Sequence, residues 1–234
     1  MTTLLNYNLE KKTGVVFYSD KKIIRKFSTN GKKNILLNNE YNGFKWYLSK
    51  TKKSYMYQLY KKKLIKNINY IDYPLIKGRK ISFWTPLKES YTHVEIIMNH
   101  YKKFWPKTNK TYYHGDLTIE NTIFIKDKYP FIIDWEYSSE NNIWGLDICY
   151  LLISSVVLPA LTNEERKIKA TELQLFENLW FKFFKKKKFR LIKYPLQQII
   201  KINKKLIKIR PKKNDFIYKI NNFQKNQLLE IINL

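Results

Sequence analysis

The stretch Tyr112–Leu152 reads YYHGDLTIENTIFIKDKYPFIIDWEYSSENNIWGLDICYLL, and its reading decides the fold. It opens on the loop HGDLTIEN, which carries His114, Asp116 and, five positions after Asp116, Asn121. Two short β-rich runs follow, NTIFI and FIIDW, joined by the turn-rich KDKYP, so the pattern predicts a tight hairpin. Asp134 stands at the exit of the second run. A loop that feeds a tight hairpin brings the chain back to where it left, and Asp116, Asn121 and Asp134 are expected around one point. Beyond them, Ile143–Leu161 is the longest apolar run, with Asp147 near its start and Pro159 near its end. A spanning helix needs about 20 apolar residues and a charge inside it is costly. The run predicts a buried core helix.

Two acids and an amide around one point suit phosphoryl transfer. The transferred group is heavily anionic, so catalysis is mainly positioning plus neutralisation by magnesium. One carboxylate must meet the attacking hydroxyl and accept its proton. A second carboxylate and an amide oxygen must hold the metal that bridges the nucleotide phosphates. Taken singly these residues are ordinary: His-x-Asp is usually a surface loop, and an Asp after an apolar strand is usually a turn residue. Their order, with a hairpin between them, carries the signal.

At these positions the chain resembles the aminoglycoside phosphotransferase and choline/ethanolamine kinase superfamily. HGDLTIEN looks like that family's H-x-D-x-x-x-x-N, IIDWEY its I-D-F/W-E-Y, and GLDICYLL the start of its buried helix. The match covers about 40 residues in the middle of the chain. The resemblance implies an α+β, two-lobed, protein-kinase-like fold with a small antiparallel-sheet lobe carrying one helix and a mainly helical second lobe. It implies ATP and Mg2+ as cofactors and a small-molecule acceptor. Asp116 is then the catalytic base or hydroxyl-orienting residue, Asn121 and Asp134 are magnesium ligands, His114 buttresses the loop, and Asp147 anchors it from the core helix. Only thirteen positions separate Asp134 from Asp147, no A-P-E follows, and Gly115 replaces the arginine of H-R-D, which disfavours a protein kinase.

Upstream, VVFY and KKIIRKF read as strands with a turn at Ser19 and Asp20. A helix follows, with Asn34 as candidate cap and Leu37, Tyr41, Phe44 and Leu48 on one stripe. Residues 64–84 read as further strands, and WTPLKES as a connection to a helix that places Val94, Ile97, Met98, Tyr101 and Trp105 on one face and stops at Pro106. This divides the chain into a nucleotide-binding lobe over 1–84 and a catalytic and acceptor-binding lobe over 85–234. A kinase-like first lobe needs a strand lysine and a helix glutamate. Lys26 at the end of IIRK and Glu40 in LLNNEYNGF are the expected pair, with Lys26 reaching the nucleotide phosphates and Arg25 its rival. The phosphate-covering loop, NLEKKTG over 8–14, has a single glycine.

The acceptor is less legible. Glu136 is the candidate substrate residue: it either attracts a cationic head group, beside Trp144 or Tyr137, or orders its own loop. An amino alcohol, an aminosugar and a sugar hydroxyl all stay open, as does a surface sugar kinase of the lipopolysaccharide or capsule type. Trp180, Phe181, Phe183 and Phe184 read as core or as an acceptor wall. Downstream, Thr162 and Glu165 form a capping-box pattern ahead of a helix ending in Lys185–Lys188. Leu196 to Arg210 reads as a basic amphipathic helix, either a solvated face or a weak peripheral contact with an anionic membrane.

The formal net charge is +26. Lys, Ile, Asn, Tyr and Phe are over-used together along the whole chain, and Lys far more than Arg, whereas bidentate phosphate recognition favours Arg. The charge therefore reads as compositional bias, and no nucleic-acid partner is expected. A non-catalytic basic binding module on a kinase-like shell is the competing class. One cysteine, Cys149, excludes an internal disulfide, and the opening MTTLLNYNLEKK lacks a secretory apolar stretch, so the expected compartment is the cytoplasm. His93 and His100 have no metal-site spacing.

Overall fold

The computed structural model describes residues 2–8, 13–29, 35–51, 65–66, 70–106, 111–141, 144–184 and 220–233. The fold is α+β, with a small antiparallel sheet and five α-helices among the described residues. Two compact units divide the chain: Met1–Lys77 with Ile133–Ser139, and Gly78–Ile132 with Glu140–Leu234. The division falls between Lys77 and Gly78, against residue 84 in the sequence reading, and Ile133–Ser139 belongs with the first unit.

In the first unit, β1 (Thr2–Asn8), β2 (Thr13–Tyr18), β3 (Ile23–Ser28), β4 (Ile65–Lys66) and β5 (Tyr70–Pro74) form one sheet in the order β1-β2-β3-β5-β4. All its pairings are antiparallel. The hairpin at Ser19–Lys22 is the one the sequence indicates. The first strand was not anticipated, because Thr2–Tyr7 are all exposed and leave no alternating apolar face to detect. Helix α1 (Ile35–Lys50) buries Leu36, Leu37, Glu40, Gly43, Phe44, Tyr47 and Leu48, while Tyr41 is half-buried. Asn34 lies outside the described residues.

In the second unit, β6 (Arg79–Lys80), β8 (Thr122–Ile125) and β9 (Tyr129–Ile132) form an antiparallel sheet, and β7 (Thr111–Tyr113) leads into the HGD loop. The β8–β9 hairpin pairs Thr122 with Ile132 and Ile125 with Tyr129. Helix α3 (Leu146–Ala160) buries every residue but Leu158 and Pro159, as a helix apolar all round must. It packs with α2 (Leu87–Phe104) and α4 (Ala170–Phe184), and α4 packs with α5 (Asn222–Asn233). The expected stripe Val94, Ile97, Met98, Tyr101 and Trp105 is buried. Pro86 caps α2 with no side-chain bond, and both oxygens of Glu172 instead accept the Lys88 N–H at 3.2 Å, placing an anion at the positive end of the helix.

The capping box at Thr162 and Glu165 is corrected: α4 begins only at Ala170. The Asn163 side chain bonds the backbone N–H and C=O of Lys167, Arg166 turns left-handed at φ 48°, and the Thr162 hydroxyl donates back to Pro159 O. These local bonds compete with helix and win. Lys185–Lys188 and Leu196–Arg210 lie outside the described residues.

Candidate active site

Strand β3 alternates, so Arg25 and Lys26 face opposite sides of the sheet. Arg25 is committed to Asp72 of β5, donating from Nε and Nη2 at 2.6 Å each, and stacks over the Tyr70 ring at 3.9 Å. Lys26 instead meets acids. Its Nζ donates to Glu40 Oε2 at 3.1 Å, and also to Asp134 Oδ1. Helix α1 carries Glu40 on its buried face, one turn before Gly43. A Cβ on Gly43 would lie 2.3 Å from Ser138 Oγ and 2.8 Å from the Trp135 ring, so the missing side chain lets the segment 133–139 lie against the helix. Asn39 secures that segment: its Nδ2 donates to Glu136 O, and its own carbonyl accepts the Ser138 hydroxyl. Asp134 itself sits at φ 66°, a left-handed conformation that costs free energy for a residue with a Cβ and concentrates at functional sites.

These side chains line a cavity of about 170 Å³ whose wall includes Thr13, Gly14, Lys26, Glu40, Asp134 and Glu136. Thr13 and Gly14 come from the expected phosphate-covering loop, of which residues 9–12 lie outside the described residues. Three carboxylates surround one ammonium. Lys26 is held well above its ordinary range because Asp134 and Glu40 outweigh the cost of burial. Burial pushes Glu40 up to about 7, against the pull of Lys26 and with added repulsion from Asp134 and Glu136. Glu136 is buried in this same cavity.

The second unit holds the other sequence-identified residues. Both oxygens of the Asp147 carboxylate accept the His114 N–H at 3.0 Å, and Oδ1 also accepts the Gly115 N–H at 3.1 Å. Gly115 stands at φ 84°, where glycine carries no steric cost. His114 Nδ1 accepts the Asp116 N–H at 3.2 Å. Asn121 ends a short 3-10 turn, Ile119–Asn121, and its Nδ2 donates to Asp116 O at 2.8 Å. Tyr150, which the sequence reading passed over, donates its hydroxyl to Asp116 Oδ1 at 3.0 Å. It lies three positions after Asp147 on α3 and so on the same helix face. That spacing was the available signal. Asp116 is thereby gripped at its amide, its carbonyl and its carboxylate.

No protein-family model matches this chain, and no curated protein matches it either.

Most of the aromatic positions weighed for the acceptor are buried. Trp144 stacks on Phe183 with ring centroids 5.1 Å apart and donates Nε1 to Trp105 O; Tyr137 and Trp180 are buried. Phe181 and Phe184 are half-buried. His93 and His100 are both lowered from the ordinary histidine value, His100 to about 3, chiefly by burial. No helix among the described residues is long and apolar enough to cross a membrane.

Among the described residues no group of three or more His, Cys, Asp or Glu side chains stands ready to hold a metal. Magnesium does not need one, since it binds through one or two protein oxygens and completes its shell with phosphate and water. Asn121 spends its amide nitrogen on Asp116, which leaves the oxygen as its donor to a cation. The Asp134 side chain is 35% exposed, against 4% for Glu40, so it is the more accessible oxygen of the Lys26 pair. Asn121 and Asp134 each offer a hard oxygen, the donor type magnesium takes.

Two buried acids make stability pH-dependent. Burial lifts Glu40 from 4.5 to about 7 and Asp147 from 3.8 to about 7, the latter against the pull of the His114 and Gly115 amides. Each folded-state value lies above the unfolded one, so the folded chain keeps a proton that the unfolded chain has already released. The stabilisation is complete below the unfolded values and is lost as pH rises through about 7. The melting temperature is expected to fall between pH 5 and pH 8, followed by circular dichroism at unit steps. A rise across that window contradicts the assignment.

Proposed function

We propose that the protein has a two-lobed, protein-kinase-like fold and is an ATP- and magnesium-dependent phosphotransferase acting on a hydroxyl of a small molecule. The observation that carries this reading is the buried Lys26, shared between Glu40 of the following helix and Asp134 at the exit of the distant hairpin. A strand lysine paired to a helix glutamate is the arrangement that aligns nucleotide phosphates in kinases. Here it is joined by Asp134, the acid that the I-D-F/W-E-Y resemblance names as a metal ligand.

In this reading Lys26 leaves Asp134 for the phosphates, and Glu40 keeps the ammonium aligned. Asp134 and the Asn121 oxygen would hold magnesium, which supplies charge neutralisation on the phosphates when bound. Asp116 orients the acceptor hydroxyl and takes its proton as the new O–P bond forms and the bond to the ADP oxygen breaks. His114 and Asp147 hold the loop's backbone. Glu136 adds negative charge beside Lys26, which favours a nucleotide arriving with its metal over a bare polyanion.

A coupled assay of ADP release tests this over choline, ethanolamine, glucosamine, kanamycin and simple sugars, with magnesium and with chelator. Acceptor-stimulated turnover that disappears with chelator is expected. Absence of turnover on the whole panel, together with salt-sensitive binding to nucleic acid or anionic vesicles, would favour a basic binding module instead.

A further inference from the structure

Helix α3 grips the HGD loop at two levels with two residues one turn apart. Asp147 holds backbone, the amides of His114 and Gly115. Tyr150 reaches a side chain: its hydroxyl donates to Asp116 Oδ1 at 3.0 Å. Both Tyr150 and Asp116 are buried, at 4% and 5% exposure, so the bond is shielded from competing water. Two further bonds, the Asp116 N–H to His114 Nδ1 and the Asn121 Nδ2 to the Asp116 carbonyl, fix where the residue's backbone lies. Neither decides how the carboxylate plane is turned. A carboxylate rotates about its last single bond through a broad, shallow profile, so an unheld one presents a range of orientations.

We infer that Tyr150 is a positioning residue for the phosphotransfer step, turning the Asp116 carboxylate so that it meets the acceptor hydroxyl in one orientation. This rests on the phosphotransferase reading of Asp116. The tyrosine contributes through Asp116 and contacts neither nucleotide nor acceptor. Its loss therefore acts on turnover and leaves affinity for both substrates alone. A misdirected catalytic group costs up to about a hundredfold in rate.

The test is a kinetic double-mutant cycle on the full chain with Tyr150→Phe, Asp116→Asn and the two combined. Turnover is read with magnesium-ATP and whichever of choline, ethanolamine, glucosamine or kanamycin supports wild-type activity, or with water as acceptor if none does. Tyr150→Phe is expected to lower kcat between about tenfold and about a hundredfold, with both KM values within about twofold of wild type. In the Asp116→Asn background the same change is expected to cost little more, because the group it positions is already disabled. Equal losses in both backgrounds would make Tyr150 a structural residue and overturn the inference, as would a Tyr150→Phe enzyme of wild-type kcat. A variant that loses its cooperative melt would likewise assign the hydroxyl to folding. A wild-type chain with no phosphotransfer to any acceptor or to water would instead remove the parent reading, and the role of Tyr150 with it.

Discussion

Asp116→Asn is expected to lower turnover by about two to four orders of magnitude, the usual contribution of a positioned general base, while the chain stays folded. The substitution is nearly isosteric, and the bonds around Asp116 explain why the fold should tolerate it. The His114 and Asn121 contacts involve the Asp116 backbone, which the change leaves alone. The Tyr150 hydroxyl donates to Oδ1, and an asparagine presents a carbonyl oxygen that can accept the same bond. What disappears is the capacity to take a proton. Steady-state kinetics beside a thermal melt checks both halves. A variant with undiminished kcat would strip Asp116 of its role, and one that unfolds would show that the negative charge itself sustains the loop.

Lys26→Met is expected to abolish activity and, unlike Asp116→Asn, to destabilise the fold on the order of 3 kcal/mol near neutral pH. Methionine matches the length of the lysine stem but leaves Glu40, Asp134 and Glu136 facing one another with no cation between them. Removing one partner of a buried ion pair costs more than the pair contributes, because the remaining charge has lost its solvent and its counter-ion alike. The acids can escape by taking up protons. Glu40 already lies at about 7 with the lysine present, and losing the lysine removes what pulls it down. The folded variant then binds protons that the unfolded chain does not, so its deficit shrinks toward pH 5 and grows toward pH 8. Urea unfolding at both pH values measures this. A deficit that is small and flat with pH would mean that Lys26 is not the counter-ion of the cluster.

The middle of the chain was the most readable part, for a physical reason. Asp116 and Asn121 have their spacing fixed by a short loop that leads into a tight hairpin, so local sequence determines local geometry there. Lys26 and Glu40 were readable as a pair because each lies on a regular element whose period says which way it faces. Tyr150 was overlooked because a tyrosine in an apolar helix reads as packing; only the folded chain shows that its hydroxyl finds Asp116. Strand β1 left no trace because an exposed edge strand lacks an apolar alternation. The capping box at Thr162 failed because Asn163, Lys167 and the left-handed Arg166 settle that segment through side-chain bonds that propensity does not count. Gly43 is a fourth kind of case: its value comes from the close approach of Ser138 and Trp135, which are far away in sequence.

In the phosphotransferase reading, nucleotide phosphates replace Asp134 on Lys26 in the acid-lined cavity. Calorimetric titration of the full chain with a non-hydrolysable ATP analogue and magnesium tests this without relying on any acceptor. One site with a dissociation constant below about 1 mM, in the range of kinase substrates, is expected, with its loss in Lys26→Met and Asp134→Asn chains that remain folded. No binding to the wild-type chain, or equal binding to all three, would contradict it.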